Sequence, residues 1–169
     1  MKNNNNVIIA IGSNLTGHMN SSKNTLDVVF NYLSKYGLRV RKASNIYISK
    51  PFPSGLGPLF YNRVILVKSN LSPLDILSRL KNIEKIFGKR SNIRNSPRVL
   101  DLDIIDYGGE IINYKYHLNL PHPKMQDRDF VLKPLYEIYP TWVNPSSGMT
   151  IKTLLYNYKR SNISIAKPI

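Results

Sequence analysis

Apolar residues along this chain follow two rhythms, and their order predicts the architecture. Val7-Ile8-Ile9-Ala10-Ile11 is a short unbroken apolar run stopped by Gly12-Ser13-Asn14, which reads as a strand and a turn. Behind Ser21 or Ser22, Leu26, Val29, Phe30 and Leu33 recur at i, i+3, i+4 and i+7 until Gly37, the stripe of an amphipathic helix. Leu38 to Ile48 reads as a strand, the Pro/Gly-rich stretch Ser49 to Pro58 as a loop, and Tyr61 to Val67 as another strand. Ser72-Pro73-Leu74-Asp75 has a cap, a proline in the first turn and an acid three after the cap. It opens a helix that turns Leu77, Leu80, Ile83 and Phe87 inward and stops at Gly88. Asp101 to Tyr107 is the next strand. The order strand, helix, strand, strand, helix, strand predicts an α+β fold, a ferredoxin-like βαββαβ sandwich with an antiparallel sheet and two helices on one face. The remainder reads as an appendage: a hairpin around Gly108-Gly109, a loop Leu120-Pro121-His122-Pro123, and helices near 126–136 and 150–158. With no repeat and no long linker, residues 1–169 are expected to form a single domain.

One strand breaks its own pattern. In Leu100-Asp101-Leu102-Asp103-Ile104 the apolar residues share one face, and Asp101 and Asp103 stand side by side on the other, roughly 6–7 Å apart. Packing does not ask for two like charges there. A hard divalent cation does, because Mg²⁺ takes one or two carboxylates and completes its shell with water and substrate phosphates. By itself an Asp-x-Asp also fits the solvated face of an edge strand. The approach to it shifts the balance: residues 81–98 hold Lys81, Lys85, Lys89, Arg90, Arg94 and Arg98 against Glu84 alone. Acid pair and cationic stretch together point to metal-dependent phosphate chemistry.

Composition narrows the classes. The net charge of +14 suits an anionic partner, whether nucleotide, nucleic acid or membrane surface. No run approaches the ~18 apolar residues of a membrane span. The apolar start is too short for a signal peptide, so a cytoplasmic protein without membrane association is expected. With no cysteine, disulfides, thiolate metal sites and cysteine nucleophiles are excluded. There is no G-x-x-x-x-G-K-[ST] and no G-x-G-x-x-G after a strand, so phosphates would have to be held by side chains and metals. Phe60-Tyr61-Asn62 places an amide and an aromatic ring on one strand face, able to read and stack a heterocycle, although an Asn closing a turn beside a core Phe looks the same. Asp127-Arg128-Asp129-Phe130 offers another cation and ring, or simply a solvated helix start.

Taken together these elements resemble the 6-hydroxymethyl-7,8-dihydropterin pyrophosphokinase family of folate biosynthesis. The resemblance runs from the first strand to about Pro145. It is carried by Ala10-Ile11-Gly12-Ser13-Asn14-Leu15, Tyr47-Ile48-Ser49-Lys50-Pro51, Phe60-Tyr61-Asn62, and Glu84 through Gly88-Lys89-Arg90. Further on it is carried by Pro97-Arg98-Val99-Leu100-Asp101-Leu102-Asp103-Ile104, and by Pro121-His122-Pro123 with Arg128-Asp129-Phe130. The resemblance implies Mg²⁺-dependent transfer of diphosphate from ATP to the pterin hydroxymethyl group. Asp101 and Asp103 would hold two Mg²⁺, and Arg94 and Arg98 would be catalytic beside them. Glu84, Lys89, Arg94, Arg98, Ile104, His122 and Arg128 would contact ATP. Ser49, Pro51, Phe52, Phe60, Asn62 and Phe130 would form the pterin pocket. The partners implied are these two small molecules and no nucleic acid, with the protein a monomer. One departure stands out: Arg94-Asn95-Ser96-Pro97-Arg98 replaces the family's usual Arg-Trp-Gly-Pro-Arg, removing a flat group that could close over the site. A nucleic-acid-binding module of the same fold is the competing class, although Val7–Ile11 and Val64–Val67 carry no aromatic for base stacking. A decayed remnant that only binds nucleotide is the other alternative.

Overall fold

Two serines start the helices that the periodicity predicts. The Ser21 hydroxyl accepts from the Asn24 N–H at 3.0 Å and opens α1 (Ser22–Lys35), and the Ser72 hydroxyl accepts from the Asp75 N–H at 3.2 Å and opens α2 (Pro73–Phe87). The structure, a computed structural model, describes residues 6–17, 21–51, 57–88, 96–115, 117–161 and 166–169, and of residues 160 and 161 the backbone alone.

The sheet is antiparallel throughout. Strands β1 (Asn6–Ser13), β4 (Phe60–Lys68) and β5 (Asp101–Tyr107) form its centre in the order β5-β1-β4. Along the outer edge of β4 lie β2 (Arg39–Ala43) and then β3 (Tyr47–Ser49), with β8 (Lys167–Pro168) beyond β3. Together with four helices this is a mixed fold of helices and an antiparallel sheet.

Both faces of that sheet are covered. Val7, Ile9, Ile11, Ile65, Val67, Leu102 and Ile104 pack with Leu26, Val29 and Leu33 of α1 and with Ile76, Leu80 and Ile83 of α2. On the opposite face Ile8, Val64, Leu66 and Ile105 pack against Val131, Leu132 and Leu135 of α3 (Asp129–Ile138) and Ile151, Leu154 and Tyr158 of α4 (Ile151–Ser161). The expected appendage is therefore a third layer. The interruption at Asp101, Asp103 and Asn62 falls on the α3 side, where helix cover gives way to a hollow.

Two other expectations change. Leu38 to Ile48 is not one strand: the Ser44 hydroxyl accepts the Val64 N–H at 3.1 Å and donates to the Asn45 carbonyl, so a side chain stands in for the ladder and splits β2 from β3. Gly108 and Gly109, at φ +59° and +78°, turn the chain out of β5, but the paired hairpin lies later, between β6 (Ile112–Tyr114) and β7 (Leu118–Leu120). Among the described residues no helix is long and apolar enough to cross a membrane.

Candidate active site

The site is built across neighbouring strands by register. Gly12 of β1 faces Asn62 on one side and Asp101 on the other, while Ala10 faces Asp103 and Phe60 faces Ser49. These residues end on the α3 face of the sheet, and the first turn of α3 brings Phe130 and Val131 over them, with Arg128 just before it. They line one hollow, concave and open to solvent, with apolar rings and charged groups on the same wall. Gly12 forms its floor: a Cβ there would stand 3.6 Å from Asn62 Oδ1, 3.8 Å from Phe60 Cδ1 and 3.9 Å from the Asp101 Cβ.

Asn62 is nearly buried, and its amide is held by its donor end: Nδ2 donates to the Ser49 hydroxyl at 3.0 Å and, at longer range, to the Tyr47 carbonyl. That fixes Oδ1 as the end turned toward the Gly12 floor, an acceptor for a ligand's N–H groups.

Each carboxylate of the acid pair meets an arginine. Arg98 Nη1 donates to Asp101 Oδ1 at 2.8 Å, and Arg128 Nη1 stands 3.5 Å from Asp103 Oδ2. The mutual repulsion of Asp101 and Asp103 is thereby offset, and both cations are already placed at the site. Arg128 also lies 5.8 Å over the Phe130 ring. Among the described residues no three His, Cys, Asp or Glu side chains stand together as a metal cluster. Two hard carboxylates with room for substrate oxygens nonetheless match the donor habits of Mg²⁺, which rarely has an all-protein cage.

Two further hollows adjoin the first. One shares Arg98 and is lined by Lys81, Glu84, Lys85, Gly88, Val99 and Leu100. The other shares Asp103 and includes Lys81, Ile104, Asn119 and His122. Glu84 is largely committed within the protein: its Oε1 accepts from the Leu102 N–H at 2.8 Å and from Lys81 Nζ at 2.7 Å, pinning the start of β5 to α2. Burial raises its pKa, with Lys81 pulling the other way. Burial lowers the pKa of His122, against the pull of Asp103. The neutral ring accepts the Lys124 N–H at Nδ1, leaving Nε2–H as an uncharged donor.

Of the residues expected from sequence, Ser49, Phe60, Asn62, Arg98, Asp101, Asp103, Arg128 and Phe130 meet in one hollow, and Glu84, Ile104 and His122 line the adjoining two. Pro51 is next to the main hollow but not in its lining. Phe52, Lys89, Arg94 and Asn95 lie outside the described residues. Sequence reasoning did not assign a role to Lys50, which lines the hollow, or to Asn14. Asn14 Oδ1 accepts the Arg98 N–H at 2.7 Å, and the N–H groups of Asn14 and Leu15 both donate to the Arg98 carbonyl. Gly12 and Ser13 continue β1 instead of forming the expected turn, and Asn14 just beyond them reaches a target 84 residues away that no local pattern shows.

Comparison with known proteins shows the family. The family model for 7,8-dihydro-6-hydroxymethylpterin-pyrophosphokinase (HPPK) matches residues 8–140. The chain belongs to the HPPK family. It is 38% identical over 134 residues to the 2-amino-4-hydroxy-6-hydroxymethyldihydropteridine pyrophosphokinase of Pseudomonas aeruginosa, covering 79% of this chain and 80% of that one. It is 42% identical over 145 residues to the folic acid synthesis protein fol1 of Pneumocystis carinii, covering 86% of this chain but 19% of that protein. It spans 60% of the Synechocystis pyrophosphokinase, at 41% identity over 70% of this chain. Several relatives of this HPPK chain are thus much longer than it is. A crystal structure of Plasmodium falciparum HPPK-DHPS superposes with a TM-score of 0.77 at 16% identity, covering 98% of this chain and 48% of that one. At that identity the likeness shows the fold.

Proposed function

We propose that this chain transfers diphosphate from ATP to the hydroxymethyl group of 6-hydroxymethyl-7,8-dihydropterin, forming the pterin diphosphate and AMP in folate biosynthesis. The observation that carries the reading is one hollow lined at once by a heterocycle-reading set, Asn62 with Phe60 and Phe130, and a phosphate-handling set, Asp101 and Asp103 with Arg98 and Arg128. The strand order β5-β1-β4-β3, with the α1 and α2 crossovers on one face, supports a ferredoxin-like scaffold forming a single pyrophosphokinase domain.

In this reaction the hydroxymethyl oxygen attacks the β-phosphorus as its proton passes to solvent, the bond from that phosphorus to the α,β-bridging oxygen breaks, and AMP departs. Asp101 and Asp103 would hold two Mg²⁺, which would supply charge neutralisation and acidify the attacking alcohol. Asn62 orients the pterin by its edge, and the two phenylalanines hold the ring between them. Arg98 and Arg128 meet the charge of the moving diphosphate. His122 donates through Nε2 without adding charge, and Glu84, Lys81 and Ile104 line the nucleotide side. Catalysis is mostly alignment and electrostatics, so no protein base is needed at the hydroxyl.

The direct test is AMP formation from ATP in the presence of the pterin alcohol and Mg²⁺. A remnant that only binds nucleotide would bind ATP and release no AMP. Asn62→Ala and Phe130→Ala are expected to raise the pterin dissociation constant, the loss of one stacking ring being about 1–3 kcal/mol, while sparing nucleotide binding. Parent-like titrations of both variants would place the pocket elsewhere. Gly12→Ala is a sharper probe, because its methyl meets neighbours only at ordinary contact distances and the fold has no reason to object. It should weaken pterin binding by filling the floor, with an unchanged melting temperature. Undiminished affinity would remove Gly12 from the pocket.

A further inference from the structure

Ser49 and the start of α3 form two walls of the hollow, and the last four residues of the sequence join them. Strand β8 pairs with β3 through Tyr47↔Pro168 and Ile48↔Lys167, and the Ile169 N–H donates to the Ile46 carbonyl at 2.9 Å. That edge supports the three-residue strand whose Ser49 orients Asn62. Immediately before β8, the Ala166 N–H donates to Asp129 Oδ2 at 2.8 Å, and the Ala166 carbonyl accepts from Lys133 Nζ. Lys133 also pairs with Asp129 at 3.1 Å. Asp129 is fully buried and stands between Arg128 and Phe130, both of which line the hollow.

Among the described residues, Glu137 also joins β3 to α3, accepting from the Tyr47 hydroxyl and the Asn45 N–H two turns further along α3. Lys167, Pro168 and Ile169 are exposed, and Ala166, although buried, belongs to neither hydrophobic cluster. Their attachment rests on backbone pairing and on the buried carboxylate. A buried charge demands partners, so Asp129 makes this docking specific although the segment adds little to the core.

We propose that residues 166–169 are a positioning element for the pterin, setting the distance between the Ser49 wall and the Arg128–Phe130 wall, with Asp129 as the positioning residue that receives them. This rests on the pterin reading above, and the test separates the two. Ala166→Pro removes the N–H that Asp129 accepts, Ala166→Gly keeps it, and deletion of 166–169 removes the whole element. Binding of the pterin alcohol and of a non-hydrolysable ATP analogue is measured separately by titration calorimetry, with Asn62→Ala as the reference.

Ala166→Pro and the deletion are expected to weaken pterin binding about tenfold, the worth of one hydrogen bond to a charged group. Nucleotide affinity should stay near the parent's, the melting temperature should fall by about 2–4 °C for the lost partner of the buried carboxylate, and Ala166→Gly should bind like the parent. If pterin affinity is unchanged in Ala166→Pro and the deletion while Asn62→Ala loses it, the positioning role is overturned and the pocket stands. If pterin affinity, nucleotide affinity and melting temperature fall together, the segment is a general stabiliser and the role is overturned. If Asn62→Ala binds like the parent, the pocket reading fails and the positioning role with it.

Discussion

Asp103→Ala is expected to abolish measurable diphosphate transfer while leaving the circular dichroism spectrum of the parent. The carboxylate is half-buried on the α3 side of β5, where it lines the hollow, and its neighbours Leu102 and Ile104 pack on the opposite face, so the core does not depend on it. Its contact with Arg128 is long, at 3.5 Å, and exposed ion pairs contribute roughly 0–1 kcal/mol. The loss is therefore catalytic. On the proposed reading, a carboxylate that helps seat a divalent cation between the ATP polyphosphate and the uncharged pterin alcohol supplies several kcal/mol at the transition state, or about 10³-fold in rate or more. Asp101→Ala should lose transfer to a similar extent and has a second consequence, because Asp101 is the partner of Arg98 at 2.8 Å. That variant should also disturb how Arg98 is held. Full turnover of either variant at saturating Mg²⁺ would sink the metal assignment.

Why the acid pair stood out and other features did not is a matter of range. Asp101 and Asp103 sit two apart on one strand, and the period of two alone places them together. The capped helices were equally local, since Ser21 and Ser72 act on residues three positions away. The second helical layer had a signal: Val7-Ile8-Ile9-Ala10-Ile11 does not alternate, as a strand buried on both faces should not. Reading 126–136 and 150–158 as an appendage left that second face without its cover. The break at Ser44 was invisible because it depends on which N–H of β4 falls opposite the hydroxyl. In sequence Asp129 is one acid in a polar stretch, and nothing local says that its carboxylate points inward to Ala166. The pocket residues Phe60 and Asn62 were ambiguous alone; register with Gly12 and Ser49 brings them to one hollow.

Arg98→Ala should lower turnover by about 10³-fold, as arginines that meet transferring phosphoryl charge do, and should raise the dissociation constant of ATP far less. The structure holds this residue from both ends. Its backbone is clasped by Asn14 through a side-chain acceptor at 2.7 Å and a returned N–H at 3.1 Å. Val99, next along, fills the space over Gly17, where a Cβ would lie 2.6 Å from Val99 Cγ1. At the far end the guanidinium rests on Asp101. Arg98 also lines two adjoining hollows at once, which on the proposed reading puts it between the two substrates. A group already fixed at that crossing needs no reorganisation as charge moves, and its benefit appears in the transition state more than in the ground state. Steady-state kinetics with ATP and the pterin alcohol, joined to direct nucleotide titration, separate the two effects. Weakened ATP binding with unchanged turnover would reduce Arg98 to a ground-state anchor. Asn14→Ala should reproduce part of the turnover loss without touching either substrate, and Asn14→Asp, which keeps the acceptor for the Arg98 N–H, should recover most of it. Parent-like turnover of Asn14→Ala would show that Asp101 alone suffices to place the guanidinium.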